Sequence, residues 1–505
     1  MRQHPRLMPL GPIVLMAGVT LLAGCGSGGG SNTTPPPPAP QIQNINSSTT
    51  PTSPVSLPIE INGSGFQSAP GKVTFVQGSI SADVVPAASA WSDTGIVAAV
   101  PTGNGTTNFT TPGTVKVTVT TSGGTSNAVT VNLVATLNFT PSEMAWSTTM
   151  PLPQALTGLR AVGVPGSAST SAFAVVTGGY DGTANTTTAW AINLNQDGTV
   201  GSTTNTWKTI ATNPLPTTLA HHSMAEADDT NSLVPMGKRF IYVLGGQVNW
   251  TDSAGSNKVY AASVDSTTGA VGTWTTLTST LPQPLFGLTA TVHNGYLYVA
   301  GGVSTGGAPV TAVYSAPVNA DGTLGAWTTA TNTLPTPRAF GTMFVFGGVI
   351  YYIDGDPDSS IPPNNQNAGD KLVYYASAIR GVVGTWTENG NQTIHDRAKG
   401  VLFTAYGQVI AGEGVYTGSV GSGEMETSTI NASNTTNLAL NSFNGLTGSS
   451  AQVPKANIYN AAGFTSPIVT STNAPRFLLL GGQALSGTSG AGGALSSTVY
   501  YNNKP

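Results

Sequence analysis

From about residue 140 onward the chain repeats itself, and a repeat of this length and composition leaves few folds open. The unit is clearest from Val313 to Asp356, VYSAPVNADGTLGAWTTATNTLPTPRAFGTMFVFGGVIYYIDGD. Val313, Tyr314 and Ser315 begin a short strand, and Asn319-Ala320-Asp321-Gly322 is a turn. Trp327 opens a second, threonine-rich strand, which Leu334-Pro335-Thr336-Pro337 breaks because proline has no N–H for a ladder. A third strand runs from Ala339 to Phe346, Gly347-Gly348 turns it, and a fourth runs from Val349 to Ile353. No helical period intervenes. Four short strands cannot cover both faces of their own sheet, so copies of the unit must cover one another.

The copies are present. Related blocks open at Val259 and Val373, and an aromatic mark recurs at Trp146, Trp207, Trp274, Trp327, Trp386 and Phe443. Glycine turns after an apolar strand fall at Gly178, Gly245, Gly301, Gly355, Gly412 and Gly481. Repeats of this length with glycine turns, paired in four of the six, and a later aromatic mark, tryptophan in five, resemble the kelch motif of β-propellers. That resemblance spans residues 143–505 and implies a six-bladed propeller, with strands lettered A to D from the axis outward. A D-type strand around Trp146 precedes every A strand, and Thr498-Val499-Tyr500-Tyr501 is a C strand with no D strand after it. The expected sixth blade is therefore closed by the N-terminal strand, which removes open sheet edges. Strand direction then puts the D–A and B–C loops on one face and the A–B and C–D turns on the other.

The preceding residues carry three further segments. Residues 1–25 hold Arg2 and Arg6, an apolar run from Leu7 to Leu22, and Leu22-Ala23-Gly24-Cys25. A basic start, an apolar stretch and a small-residue junction make a secretory signal. Its ending resembles the lipobox of bacterial lipoproteins. The resemblance implies diacylglycerol on Cys25, cleavage before it, and a membrane partner through that anchor; Gly26 in place of Asp implies the outer membrane. Residues 26–40, GSGGGSNTTPPPPAP, read as a tether, flexible at first and stiffened by Pro35 to Pro38. Residues 41–135 read as a separate β-sandwich. Asn62-Gly63-Ser64-Gly65-Phe66, Trp91-Ser92-Asp93-Thr94 and Gly123-Gly124-Thr125-Ser126-Asn127-Ala128 resemble the IPT/TIG immunoglobulin-like domain. The fold class expected is thus all-β: an immunoglobulin-like sandwich followed by a six-bladed kelch-like propeller.

Composition narrows the function. Charged residues make up 8% of the chain and the net charge is −4, so no basic stripe exists for phosphates and no nucleic-acid partner is expected. Cys25 is the single cysteine, which excludes an internal disulfide. It also excludes a galactose-oxidase-like site, which needs a cysteine cross-linked to tyrosine beside copper. Sialidase-like sites need three arginines on one face, and only Arg338 and Arg397 stand at the starts of A strands. A kelch-type sugar mutarotase needs only a few polar groups at the channel mouth and stays open.

Candidate site residues lie on the D–A/B–C face. The B–C loops vary in length and carry Tyr180, Trp250 and Tyr416, which suit stacking on sugar rings or protein contact, or simply pack their own loops. Arg338, Arg397 and His221, with His222, His395 and Asp396 near them, either hold a ligand carboxylate or brace neighbouring blades. Asp354, Asp356 and Asp358 alternate at a B–C junction, a spacing that suits calcium, although Pro357 and the lack of a following glutamate depart from an EF-hand loop. No other cofactor is implied. The function expected is a non-catalytic binding or adhesion module for an extracellular protein or glycan. A carbohydrate-active enzyme and a structural part of an envelope assembly are the alternatives. Replacing Cys25 with Ser should block lipidation and leave the precursor uncleaved; membrane fractionation and the mass of the mature amino terminus would check this.

Overall fold

Short β-favouring segments punctuated by glycine turns can satisfy their backbones only by pairing with their neighbours, and antiparallel hairpins dominate the result. The structure, a computed structural model, describes residues 36–46, 48, 51–55, 57–101, 109–134, 144–168, 170–210, 214–228, 238–357, 370–405, 407–416, 425–430, 438–446, 458–468, 475–484 and 494–502. It is all-β; the one helical element among the described residues is a 3-10 turn at Ala88–Ala90. No described helix is long and apolar enough to cross a membrane. Cys25 and most of the expected tether lie outside the described residues.

Residues 144–502 form six antiparallel sheets of the same plan. Their first strands are Arg160–Pro165, Ser223–Ala227, Thr289–His293, Thr342–Phe346, Val401–Ala405 and Ala462–Thr465, which define sheets 1 to 6. Second strands such as Tyr296–Ala300 and Val349–Ile353 are apolar throughout rather than alternating, because each sheet is covered on both faces. Sheet 6 takes its fourth strand from the other end of the domain. Trp146–Thr149 pairs antiparallel with Val499–Asn502, in register from Trp146 opposite Asn502 to Thr149 opposite Val499.

Six cores join the six sheets in a cycle, one core between each neighbouring pair. The aromatic mark of each repeat is the wedge. Trp274 packs with Phe173 and Val175 of sheet 1, Trp327 against Phe240 and Tyr242 of sheet 2, and Trp386 with Tyr298 of sheet 3. Phe443 joins Tyr351 of sheet 4, Trp146 joins Phe403 of sheet 5, and Trp207 closes the cycle against Phe464 and Leu478 of sheet 6. Turn glycines on the third-to-fourth strand side, Gly198, Gly269, Gly322 and Gly381, meet the preceding sheet in four of these contacts. At Gly322, φ +81°, an added Cβ would lie 2.3 Å from the Phe240 ring of the preceding sheet.

A second closure lies near the axis. Gly158, His221, Gly287, Phe340, Lys399 and Asn460, each just before a first strand, have φ between +53° and +66°. His221 donates its backbone N–H to Gly158, Gly287 to His221, Phe340 to Gly287, Lys399 to Phe340, Asn460 to Lys399, and Gly158 back to Asn460, at 2.7 to 3.0 Å. Four of these residues are not glycine and adopt the left-handed region at a cost of roughly 1–2 kcal/mol each. The ring explains why strand one starts at Thr342 in sheet 4 and not at Ala339.

Residues 41–134 make two further sheets that face each other across one core. Gln41–Ile45, Pro58–Ser64 and Gly95–Ala99 form one sheet, and Lys72–Gln77, Gly113–Thr121 and Val129–Val134 dominate the other. Ile59, Ile61, Phe75, Trp91, Val117 and Leu133 fill the space between them. Asp93 serves the turn, accepting the backbone N–H of Gln67 at 2.8 Å. These sheets pack on the turns that join first and second strands in sheets 3, 4 and 5. Glu60, fully buried, meets His293 Nε2 at 2.5 Å, and Asn294 Nδ2 donates to Asn62 Oδ1 at 3.0 Å. A Cβ on Gly347 would fall 2.3 Å from the Pro58 carbonyl, and Leu57 and Val97 enter the core of sheets 4 and 5. Deleting Ser497 to Pro505 removes the strand shared by Phe477–Leu480 and Trp146–Thr149. Thermal unfolding followed by circular dichroism should lose its cooperative transition for residues 144–502, while protease digestion should still leave a fragment covering 41–134.

Candidate functional site

Above the axial ring, on the side of the loops that follow the second strands, the side chains turn away from the axis and bury one another. His221 is 1% exposed, its Nδ1 meets Gln247 Oε1 at 2.6 Å, and its ring lies 4.6 Å from that of Trp250. Trp250 in turn stacks on Tyr180, with centroids 4.5 Å apart and planes 21° from parallel. The Tyr180 hydroxyl donates to the Gly182 carbonyl at 2.8 Å, so its own loop holds the ring. Both stacked rings stay half-buried, and His221 lies beneath them. Burial, only partly offset by Gln247, pushes the His221 imidazole down to about 3, so it is neutral near pH 7. His222 points elsewhere, with Nε2 2.9 Å from Thr177 Oγ1. Tyr416 lies in a short strand paired with Arg397–Ala398.

The two arginines expected at a channel mouth are inside the protein. Arg338 is fully buried; it donates to both oxygens of Asp370 at 2.8 and 2.6 Å and to the Asp354 carbonyl at 3.0 Å, with the Tyr374 ring 4.7 Å away. Arg397 reaches Glu426 at 2.8 Å and Asp354 at 3.3 Å, joining sheets 4 and 5. Bidentate and bridging contacts of this kind brace a fold. Neither guanidinium is open to a ligand carboxylate.

Asp354 and Asp356 have separate counter-charges. Asp354 accepts from Thr393 at 2.5 Å and faces Arg397, whereas Asp356 acts on the buried Lys399 ammonium. Asp358 lies outside the described residues, and among the described residues no three acidic, histidine or cysteine side chains converge as a metal site. The alternation that suggested calcium therefore does not bring Asp354 and Asp356 to a common cation.

The sequence reading passed over what Asp354 shares with Glu413. Gly178, Gly245, Gly301 and Gly481 take φ from +58° to +65° where the second strand ends, and Asp354 and Glu413 take +59° and +55° at the same place. The glycine mark thus falls at 354 and 413, one residue from the expected Gly355 and Gly412, and two acids occupy a strained position that glycine fills elsewhere. Burial pushes the Glu413 carboxyl up to about 8, against weaker pulls from the Ile458 N–H and Arg397. The Asp354 carboxyl rises likewise to about 8, because burial outweighs Arg397. The visible signal was Asp-Gly and Glu-Gly where other repeats have Gly-Gly.

Below the ring, a cavity of about 390 Å³ runs along the axis between the first strands of all six sheets. Ring residues seal its upper end, with Phe340 4% and Lys399 5% exposed. Toward the turns joining first and second strands the inner strands open to solvent, through half-buried Glu226, Thr404 and Thr465 to Val292, His293 and Phe346. The accessible end is therefore on the side opposite the variable loops.

No family model matches the chain, and no curated protein matches it. Among solved structures it is similar to one titled "Structure of YjhT", at 14% identity over 70% of this chain and 96% of that one, with a TM-score of 0.46. A likeness of that degree defines neither fold detail nor function.

Glu413 makes a pH dependence that can be isolated. Between the ordinary glutamate value of 4.5 and about 8, the folded chain holds a proton that the unfolded chain has lost. Its contribution to stability is full below that window and falls as pH rises through it. Glu413→Gln should therefore melt with wild type at pH values near 4.5 and above wild type beyond about 8, as read from melting temperature against pH.

Proposed function

We propose that this chain is a lipid-anchored protein of the bacterial outer membrane or cell surface that acts as a non-catalytic binding module for an extracellular protein or glycan. On this reading the sheets of residues 41–134 are an IPT/TIG immunoglobulin-like spacer, and the cycle of six sheets is a kelch-type β-propeller closed by Trp146–Thr149. The repeated Gly-Gly turns, the aromatic wedges and the six inter-sheet cores support the propeller. The lipobox-like Leu22-Ala23-Gly24-Cys25 supports the anchor.

The Tyr180–Trp250 stack carries the binding assignment. Two rings from the loops of adjacent sheets lie 4.5 Å apart, half exposed, with neutral His221 packed beneath Trp250. Their mutual stacking removes rotamer freedom before any partner arrives, so little ordering entropy opposes binding. An aromatic ledge of this type suits the apolar face of a sugar ring or a protein side chain. The charged groups of the same face named from the sequence, Arg338, Arg397 and Asp354, are committed to one another and to Asp370 and Glu426, which leaves stacking as the chemistry they do not compete for.

The test is binding of the full chain to a glycan array and to candidate surface proteins. Trp250→Ala should cost about 2 kcal/mol, roughly thirtyfold in affinity. Tyr180→Ala should act in the same direction. Asp197→Ala and Asp321→Ala change turns on the opposite side, where each carboxylate only accepts from its own turn, and should leave affinity unchanged. A partner whose binding follows the turn variants and ignores Trp250 would overturn the face assignment.

A further inference from the structure

We propose that the axial cavity is a second binding site, for a small organic monocarboxylate, entered from the side where residues 41–134 dock and anchored by Arg160. This site is separate from the aromatic ledge and does not depend on it.

Position singles out Arg160. Two residues beyond the ring, the six first strands carry Arg160, Ser223, Thr289, Thr342, Val401 and Ala462. Five are small or uncharged, and one is a guanidinium lining the cavity. Among the described residues its one side-chain hydrogen bond is to the carbonyl of its own neighbour, Leu159, at 2.9 Å. Among the described residues no carboxylate forms an ion pair with it, and burial, unopposed by any acid, pulls it down to about 10. Its charge also helps to depress His221 and His222, after burial.

The bracing arginines of this fold reach across it: Arg338 and Arg397 meet carboxylates of a second element, and Arg239 and Arg476 meet backbone carbonyls of other strands. Arg160 does neither. Arg160 is half-buried, and a cation that lines a cavity without an ion-pair partner is placed to take an anion from outside the chain. A guanidinium fork presents two parallel donors, which a carboxylate matches.

The rest of the cavity defines the molecule attached to that carboxylate. Its volume, about 390 Å³, is that of a small-molecule pocket, and the first strands of all six sheets line it. Met343 and Phe344 offer apolar contact, and Thr289 and Thr342 offer hydroxyls. Glu226 also lines the cavity, three residues farther from the ring than the level of Arg160, or about 10 Å at the rise of an extended strand. A monocarboxylate matches the guanidinium without setting a second carboxylate beside Glu226, which a dianion of the same length would do.

Hexanoate, adipate and hexanamide are the probes, titrated calorimetrically into the full chain and into variants. Hexanoate should bind saturably and raise the melting temperature, with adipate and hexanamide at least tenfold weaker. Arg160→Gln should lose at least tenfold in hexanoate affinity, and Arg160→Lys should fall between. Unliganded Arg160→Gln should melt no lower than wild type, since an uncompensated cation has been removed; a bracing arginine would give a clear drop. Ala290→Trp, filling the cavity, should abolish binding, whereas Trp250→Ala should leave it intact, so the ledge and the cavity fail independently. Hexanoate binding that ignores Arg160→Gln, or none up to about 10 mM, overturns the proposal.

Discussion

Six backbone hydrogen bonds around the axis hold the rest of the molecule in place. Each needs its donor residue in the left-handed region, and only Gly158 and Gly287 adopt it without a side-chain penalty. His221, Phe340, Lys399 and Asn460 remain there because the cycle over-determines them: relaxing one residue would break the bonds it makes to both neighbours. The ring also fixes where each first strand begins and therefore which side chains face the axis. It seals one end of the cavity and directs the solvent path to the other. Both candidate sites depend on it, with the Tyr180–Trp250 ledge resting on a ring residue and Arg160 standing two residues below another.

Charge is scarce in this chain, and the fold uses it in two ways. Between sheets 4 and 5, Arg338, Arg397, Asp354, Asp370 and Glu426 form a buried network in which both arginines meet carboxylates. Such a network adds less to stability than to geometric definition, because desolvation offsets much of its Coulomb energy. Asp354 and Glu413 extend this region into backbone positions that glycine fills in the other sheets. In the cavity, by contrast, the Arg160 guanidinium forms no ion pair with a carboxylate among the described residues, although Glu226 lines the same cavity farther along. The contrast between satisfied and unsatisfied cations distinguishes bracing from binding here, and neither hydropathy nor repeat pattern reveals it.

The contact between residues 41–134 and sheets 3 to 5 covers the turns that join first and second strands there. Buried Glu60 reaches His293 and Asn294, Gly347 lets the Pro58 carbonyl approach, and Leu57 and Val97 join the apolar core beyond. Polar fixation at the centre and apolar packing beside it resemble a domain interior more than a hinge. Residues that read in sequence as a separate β-sandwich therefore share buried polar and apolar contacts with sheets 3 to 5.

Sequence alone determined the strand inventory, the sixfold repetition and the use of Trp146–Thr149 as the missing fourth strand of sheet 6. These follow from local chemistry: alternation, glycine and proline punctuation, and a wedge aromatic in each unit are readable within about sixty residues. It also marked Tyr180, Trp250 and the arginines as residues to watch. Tertiary structure decided what each one does. Arg338 and Arg397 are braced because Asp370, Glu426 and Asp354 arrive from other strands, and Arg160 stands uncompensated because none arrives. Asp354 and Asp356 diverge although they alternate in sequence, since the left-handed turn at Asp354 breaks the strand geometry that alternation assumes. Pairing and desolvation depend on distances between segments far apart in the chain, and no local pattern encodes them.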